Sequence, residues 1–470
     1  MLEDFSRHFA ALDAKDVPAE TLHACKLMML DTAGSVIAAR SLPPAGEIDR
    51  FAARLGGTAG VAYRNARLGD LMDFTEGFAG AHFGCGPLGV ALALARETPV
   101  SGMEMLLSIL AGYEVAARFM EAIGPYYTDR SGDYGYAPVW SICPPVAFGS
   151  AATAARLMAF GAGRMEAALL VAGGKLPIPT GGVWVSATFS PETKYGDAGW
   201  AAVAGLAGAF AAESGFDGFP QLVEDGHLFR ILSAPHPDPD ALLRGLGSEW
   251  KIGLARFKPW PCCGLNFGVI DNLQKVMRRH SIAAQDISAI IAEVGAPLIQ
   301  PNSVNAEPRT GADMQFSIPH CLAMTALGVP PGPAWQSGEA LHGAAAAAMR
   351  AKVLMRRHEA PWPTAPSANP RHKPSAVRVL VGSREYVDET RLDGEAPAFA
   401  LGMSEPELID KFLSLVEADD ARTILDLILA IENVGDAGRL AAAVEHARPR
   451  KDAQRRAATL LNRVEKGRNP

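Results

Sequence analysis

The spacing of apolar residues predicts that both ends of this 470-residue chain are helical. In these regions apolar positions recur every three or four residues, which is the helical period. The predicted helices cover residues 20–40, 46–55, 87–95, 103–123, 145–160, 164–172, 198–214, 405–417, 421–432 and 437–447, followed by a basic last helix. Those at 87–95 and 198–214 are predicted from their uncharged, small-residue composition, which is typical of buried helices. Ser101 and Glu104 form a capping-box pattern ahead of the 103–123 helix.

The pattern changes near Trp250. Residues 287–294 and 375–381 are rich in β-branched residues or alternate in polarity, which is typical of strands, and Tyr386 and Val387 fit a return strand. Helical spacing persists between these strands, at residues 266–280, 317–327, 339–347 and 348–357. Helical segments therefore flank a segment that mixes helices and strands. This order predicts that a second domain, from residue 251 to about 392, is inserted into a helical domain.

Length and net charge indicate the number of domains and the kind of partner. A chain of 470 residues is too long for one ordinary core, so two domains are expected. The formal net charge of −7 gives no reason to expect nucleic acid as the main partner. The tail from Arg448 onward is basic, which fits either a solvated helix or a binding segment.

Cysteine usage and hydropathy point to a cytoplasmic protein. The six cysteines show no metal-ligand spacing and no disulfide framework, which is typical of reduced thiols. The first residues carry Glu3, Asp4 and Arg7 and lack the apolar stretch of a signal peptide. The longest uncharged run, residues 134–155, is broken by prolines, so no membrane span is expected.

One stretch, residues 65–95, places titratable groups just ahead of an apolar helix. His82 directly precedes that helix, and the positive helix end opposes protonation, so we expect a neutral imidazole suited to acid–base work. Asp73 and Glu76 are three residues apart and could share one side of a helical turn. A solvated polar turn accounts for the same spacing.

Four further positions are candidates, each with a plain structural alternative. Lys194 precedes the helix at 198–214 and could attract carboxylates, although a lysine there is more often a surface residue. Lys258 lies between aromatic and proline residues and could hold an anion. Tyr136, like Tyr134, could donate a phenol from a glycine-rich loop, and His320 opens an apolar helix as a core residue would.

Motifs for common cofactors are missing from the sequence. There is no P-loop, no dinucleotide fingerprint in a strand–turn–helix setting, no HExxH and no GxSxG. We therefore expect neither a cofactor nor a metal.

Short stretches in a fixed order resemble the MmgE/PrpD family, which includes 2-methylcitrate dehydratase, cis-aconitate decarboxylase and iminodisuccinate epimerase. They are 31–34 (DTAG), 65 with 73–74, 82, 112–115 (GYEV), 149–156 (GSAATAAR), 193–194 (TK), 257–263 (FKPWPCC) with 270–271 (ID), 316–317 (FS) and 407–412 (ELIDKF). The resemblance implies a mainly α fold, with a helical domain from residues 1–255 and 393–470 and an inserted α+β lid from residues 256–392. It also implies a homodimer and an active site between the domains.

The chemistry implied by the resemblance is cofactor-free removal of a proton α to a carboxylate of a small di- or tricarboxylate. Asp73, His82, Lys194 and Lys258 match the family's motif positions. In that picture the two lysines bind substrate carboxylates and offset enolate charge. His82 moves the proton or assists the leaving group, and Asp73 orients or accepts.

The sequence also departs from the family's pattern. Asp70 stands where the first motif has a histidine, Trp140 where the second histidine falls, and His320 where a tyrosine follows F-S. Two hypotheses follow: His320 supplies the imidazole missing at Trp140, or the substrate differs and is more apolar. Trp140 and Tyr136 would then contribute to substrate binding.

The sequence therefore favours a dehydratase and leaves three alternatives. An epimerase or isomerase needs the same proton abstraction, with an acid on each face of the carbon, so His320 opposite His82 would favour it. A decarboxylase is also compatible. A helical scaffold that has lost catalysis would not bring His82, Lys194 and Lys258 together.

Overall fold

The described part of the chain is mainly α-helical. The structure, a computed structural model, describes residues 1–78, 80–124, 126–128, 134–136, 142–177, 181–232, 237–360, 373–391, 402–451, 455, 458–459 and 461. Its N-terminal helices are α1 (Leu2–Ala10), α2 (Ala19–Ala39), α3 (Ala45–Leu55), α4 (Gly57–Leu71), α5 (Cys85–Leu94), α6 (Gly102–Ile123), α7 (Cys143–Leu157), α8 (Ala162–Gly173), α9 (Gly181–Ser186), α10 (Ala198–Glu213), α11 (Gln221–Glu224) and α12 (His227–Leu232). Its later helices are α13 (Phe267–His280), α14 (Gly311–Phe316), α15 (Ile318–Ala326), α16 (Gly338–His342), α17 (Ala344–Arg350), α18 (Glu405–Leu415), α19 (Ala418–Leu429) and α20 (Gly438–His446).

A small mixed sheet lies in the middle of the chain. Its strands, β3 (Ala289–Val294), β4 (Val353–Arg357), β5 (Ser375–Val381) and β6 (Arg384–Thr390), lie in the order β4-β3-β5-β6. The β3–β4 pair is parallel, and the other two pairs are antiparallel. The strands predicted at 287–294 and 375–381 are confirmed, and so is the return strand, because Tyr386 pairs with Val379.

Buried apolar side chains form two clusters. The first extends from Leu2 to Phe257 and resumes from Leu408 to Ala447, with Phe316 added from the middle segment, so both ends of the chain share one core. The second extends from Trp260 to Val379, with Leu461 added from the end of the chain, and packs α13 and α15 with the mixed sheet. This organisation fits a mainly α fold with an α+β segment in the middle. The exact domain boundaries and the function of that segment as a lid stay predictions.

Close helix packing explains three glycines of the sequence motifs. A Cβ built on Gly112 of α6 would lie 2.6 Å from the carbonyl oxygen of Gly149 in α7, and the reverse distance is also 2.6 Å. A Cβ on Gly34 of α2 would lie 2.9 Å from the ring of Phe412 in α18. These positions require glycine, because a Cβ at any of them would overlap an atom of the neighbouring helix.

The structure corrects the sequence prediction in several places. The predicted helix at 339–347 is two helices, because α16 ends at His342 and α17 begins at Ala344. Residues 348–357 are not one helix: α17 ends at Arg350 and β4 follows, an edge strand whose mostly exposed side chains hide its alternation. Apolar spacing does not predict helix α4, because its charged residues are buried at the site and break the expected apolar face. The tyrosine-rich loop contains a short hairpin, β1 (Tyr126–Thr128) with β2 (Tyr134–Tyr136).

Among the residues that the structure describes, no helix combines the length and the hydropathy needed to cross a bilayer.

Candidate active site

The acidic turn, residues 70–74, begins in the last turn of α4 and carries two buried carboxylates, Asp70 and Asp73. Asp73 has a left-handed backbone with φ of 53°, and Lys194 has φ of 55°. In the part of the chain that the structure describes, only Ala159 and Ser281 share this conformation among non-glycine residues. Such backbone strain concentrates at functional sites, and here it marks two of the candidate residues.

Backbone pairing brings Lys258 and His82 to this turn. The N–H of Gly77 donates to the carbonyl of Arg256 (2.8 Å), and the N–H of Arg256 donates back (3.0 Å), which places Lys258 beside Asp73. Phe78 and Ala81 exchange two backbone hydrogen bonds of 2.8 Å, and this tight turn delivers His82.

Three cations meet at one carboxylate oxygen. Asp73 Oδ1 lies 2.9 Å from His82 Nε2, 2.9 Å from Lys258 Nζ and 3.6 Å from Lys194 Nζ. These four residues are more than nine-tenths buried. The structure therefore brings together four of the predicted site residues, although they are far apart along the chain.

Asp70 faces the other side of the imidazole. Its Oδ1 lies 3.1 Å from His82 Nδ1, an ion-pair contact that is not aligned as a hydrogen bond, and 3.4 Å from Lys194 Nζ. Arg67 approaches its other oxygen at 3.7 Å. Asp70 stands where the resemblance has a histidine, and its spacing three residues before Asp73 is the sequence signal that could include it in the site.

Tyr195 is a second residue that sequence reasoning missed. Its hydroxyl lies 3.0 Å from His82 Nε2, and its ring packs edge-on against Trp184 and near Phe316. Burial is the main reason that the pKa of Tyr195 is raised well above its usual range, so the phenol stays protonated. Its place directly after Lys194 is the available sequence signal.

The two carboxylates decide the charge of His82. Burial lowers the pKa of the imidazole, and the Lys258 charge lowers it further, but the contacts with Asp70 and Asp73 outweigh both, so the pKa is raised. The buried Glu76 carboxyl also interacts with the charge of this ring. The expectation that the helix end lowers the pKa of His82 is therefore wrong, because two carboxylates about 3 Å away act more strongly than the end of α5.

The lysines decide the charge of both carboxylates. Burial raises the pKa of Asp73, but Lys258 and Lys194 outweigh it and hold the pKa well below its usual range. For Asp70 burial is likewise outweighed, by Lys194, His82 and Arg67, and its pKa is lowered. Both groups are therefore anionic, and the site is a compact network of ion pairs.

Asp70, Asp73 and His82 also have the composition of a metal site, with ligand atoms within 4.8 Å of one another. The ammonium groups of Lys194 and Lys258 contact the same Asp73 oxygen, however. A divalent cation there would face two like charges at close range. We therefore assign these carboxylates to ion pairs with the lysines.

Two family models match the chain. The MmgE/PrpD N-terminal domain matches residues 3–240, and the MmgE/PrpD C-terminal domain matches residues 260–433. The chain belongs to the MmgE/PrpD family. Three residues of the site, Asp73, His82 and Lys194, lie in the first matched region of this family, and Lys258 lies just ahead of the second.

One curated relative is the cis-aconitate decarboxylase of Aspergillus terreus (strain NIH 2624 / FGSC A1156). It is 27% identical over 188 residues, which are 38% of this chain and 36% of the relative. The match therefore spans about a third of the relative's length. It supports the membership in the MmgE/PrpD family, and the activity in its name belongs to that protein.

His320 lies apart from this cluster in its described contacts. Its Nε2 is 2.7 Å from the carbonyl of Trp335, and its Nδ1 is 3.5 Å from Arg350 Nη1. Burial is the main cause that lowers its pKa to about 3, so the ring is neutral. None of these contacts joins His320 to His82.

Three other predicted site residues do not join the cluster around Asp73 in the described structure. Trp140 and the side chain of Tyr136 lie outside the described residues. Glu76 does not share a face with Asp73: its Oε1 accepts from the N–H groups of Phe83 (3.2 Å) and Gly84 (2.9 Å). Glu76 therefore fixes the segment that follows His82.

The raised pKa of His82 predicts a specific pH dependence of stability. A folded-state pKa above the ordinary 6.5 gives stability that is fully present below pH 6.5 and is lost as the pH rises through the folded value. Between about pH 6 and 9, the free energy of unfolding measured in urea is therefore expected to fall more steeply with pH in the wild type than in His82→Asn. Parallel curves for the two proteins would contradict this charge assignment.

A structural role for His320 predicts that His320→Leu lowers stability without slowing turnover. The variant leaves the Trp335 carbonyl without its buried donor, which costs about 1–3 kcal/mol. Urea unfolding measures the loss, and the rate per folded molecule is expected to match the wild type. A folded His320→Leu protein with a collapsed rate would instead restore His320 as an acid of the reaction.

Proposed function

We propose that this MmgE/PrpD protein is a cofactor-independent lyase for a small di- or tricarboxylate, and specifically a dehydratase. The observation that carries the proposal is the meeting of His82, Lys194 and Lys258 at one oxygen of Asp73. A buried acid, a buried carboxylate and two ammonium groups are what elimination next to a carboxylate needs.

The charge of the site supports an anionic substrate. His82, Lys194 and Lys258 outnumber the two carboxylates when His82 is protonated. Arg67 adds a further cation, which Asp197 partly balances from 3.9 Å. A substrate carboxylate can therefore neutralise the excess positive charge of the site, whereas a neutral or cationic ligand cannot.

Substrate binding would activate Asp73 as the base. In the free protein the two lysines hold the pKa of Asp73 low, which makes it a weak base. When substrate carboxylates take over the ammonium groups, Asp73 loses those partners and its pKa rises. It then lies at the centre of the site as an acceptor for the α-proton.

The elimination balances with the groups present. Asp73 takes the proton from the α-carbon, and the charge that develops on the adjacent carboxylate is stabilised by Lys194 and Lys258. The C–O bond at the β-carbon breaks, and His82 gives its proton to the departing hydroxyl, which leaves as water. The Tyr195 phenol holds the His82 ring, and the aromatic groups beside it limit access of bulk water.

Decarboxylation is the second candidate, because the similar Aspergillus terreus protein is named a cis-aconitate decarboxylase. In that reaction a C–C bond breaks, carbon dioxide leaves, and His82 protonates the carbon. A two-base epimerase has less support, since the described contacts of His320 lie elsewhere. The inert-scaffold alternative requires His82, Lys194 and Lys258 to lie apart, whereas they share one carboxylate.

NMR in heavy water tests the proposal and separates the candidates. The full chain is incubated with small hydroxy di- and tricarboxylates and with their unsaturated counterparts. We expect an alkene from the hydroxy acids and, in the reverse direction, hydration of the unsaturated acids. Gas release would indicate a decarboxylase, and deuterium exchange with a retained skeleton would indicate an epimerase. Failure to convert any member of the panel would overturn the proposal.

The homodimer implied by the resemblance is also a proposal. Sedimentation velocity of the full chain is expected to show a species of twice the chain mass.

A further inference from the structure

The acidic turn has an unusual set of backbone partners. Each of its five carbonyl oxygens accepts a hydrogen bond from a side chain that is distant in sequence. The donors for residues 70 to 74, in order, are Lys194 (2.8 Å), Gln315 (2.7 Å), Gln336 (2.9 Å), Lys258 (3.1 Å) and Lys411 (2.6 Å). Two of these donors belong to the candidate site, and the other three are not explained by it.

The two glutamines form a linked pair that comes from the middle segment of the chain. Gln315 lies on α14, and Gln336 ends a short 3-10 turn, Pro333–Gln336. The Gln315 amide also donates to Gln336 Oε1 (3.0 Å), and the Gln336 amide also donates to the carbonyl of Pro261 (3.0 Å). Both side chains are more than nine-tenths buried. Gln336 therefore ties the acidic turn to the segment that carries Lys258.

Lys411 makes the equivalent link from helix α18, in the C-terminal part of the chain. Its ammonium group donates to the carbonyl of Phe74 (2.6 Å) and to the carbonyl of Lys258 (3.1 Å), and it pairs with Asp31 Oδ1 (2.7 Å). It also lies over the Phe74 ring, 3.8 Å from its centre. One buried cation thus joins the residue after Asp73 to the residue that binds Asp73.

These donors oppose the conformational cost of the turn. A left-handed backbone is unfavourable for a residue other than glycine. A buried carbonyl that loses its hydrogen-bond donor is unfavourable as well. Without its side-chain donors the turn would relax, and the Asp73 carboxylate would move with the backbone.

We infer that Gln315, Gln336 and Lys411 are positioning residues that fix the acidic turn so that Asp73 meets His82 and Lys258. The site is then complete only when the middle segment and helix α18 both donate to the acidic turn. The positioning role is inferred from the hydrogen bonds alone, and only its effect on turnover rests on the proposed function. Because none of these three residues is proposed to contact the substrate, we expect their loss to affect kcat more than KM.

The test uses the full chain with Gln336→Met, which keeps the length of the side chain and removes its amide. The pKa of His82 is measured by NMR on protein with ¹³C-labelled histidine, and the resonance is assigned with His82→Asn. We expect the His82 pKa to fall, because Asp73 and Asp70 move away from the ring. On whichever carboxylate the wild type converts, we expect kcat to fall about 10²-fold, the effect of a misplacement of about 1 Å, with a smaller change in KM.

Matched controls separate positioning from simple loss of stability. Asn272→Leu removes a buried amide that donates to the carbonyl of Ser375 (3.0 Å), and Lys26→Met removes a buried lysine that donates to the carbonyl of Leu429 (2.9 Å). Both side chains donate to carbonyls outside the acidic turn. Both variants are expected to lower Tm while the His82 pKa and kcat stay at the wild-type values.

Two further variants keep the inference open to refutation. Gln315→Met and Lys411→Met act on the same turn from other elements, so they serve if Gln336→Met fails to fold. If the folded variants leave the His82 pKa and kcat at the values of the controls, the inference is wrong. If the wild type converts no carboxylate but the variants still lower the His82 pKa, the proposed function fails and the positioning role stands.

Discussion

Lys258→Met is expected to lower kcat/KM by about 10²–10³-fold, the usual cost of removing one preorganised group that stabilises developing charge. The ammonium group is 2.9 Å from Asp73 Oδ1, as close to that oxygen as the His82 ring. In the proposed reaction it binds a substrate carboxylate and then stabilises the enolate-like charge. The variant should therefore show both a raised KM and a lowered kcat, measured by NMR on the converted substrate.

The control for this variant is Lys26→Met. Lys26 is a buried lysine of the helical core, and it forms an ion pair of 2.6 Å with Glu432 instead of with the carboxylates of the site. Its loss should lower Tm without changing kcat/KM. Full activity of Lys258→Met would remove Lys258 from the site and with it the proposed substrate contact.

Asp73→Asn is expected to abolish turnover and to destabilise the fold together. The amide keeps the shape of the side chain but cannot accept the α-proton, a loss of general-base catalysis of about 10²–10⁴-fold. The buried Lys194, Lys258 and His82 also lose their shared counter-charge, which costs about 3–5 kcal/mol when one partner of a buried ion pair is removed. Urea unfolding and substrate conversion measure the two effects.

A buried carboxylate elsewhere serves as the comparison. Glu114 accepts a hydrogen bond from the N–H of Ile252 (2.9 Å) and lies 3.8 Å from Arg118. Glu114→Gln should change stability while the rate per folded molecule stays at the wild-type value. If Asp73→Asn keeps its activity, the base must be another group, and if it keeps its stability, the ion-pair network is weaker than the geometry indicates.

Local sequence signals are sufficient for much of the helical framework. Apolar spacing predicts α2 and α6, small-residue composition predicts α10, and alternation predicts β5. Ser101 caps α6, since its hydroxyl accepts from the N–H of Glu104 at 3.2 Å. These features depend on residues within one or two turns of each other, so the sequence contains the information they need.

Prediction fails where burial outweighs local pattern. Helix α4 buries Arg67 and Asp70, which removes the polar face that an amphipathic helix should show. The edge strand β4 exposes most of its side chains and so lacks a clear alternation. In both cases the tertiary environment decides which side chains are buried.

The sequence by itself named Asp73, His82, Lys194 and Lys258, because these four residues match family motifs. Only the tertiary structure decided which groups surround them. It added Asp70 and Tyr195, placed His320 against Trp335 and Arg350, and raised the pKa of the His82 ring, which its position ahead of a helix predicts to be lowered. The physical reason is that ionisation and hydrogen bonding depend on groups within a few ångströms. In this protein those groups come from the last turn of α4, the loop before α10, the middle segment and the C-terminal helix, and only the folded chain brings them together.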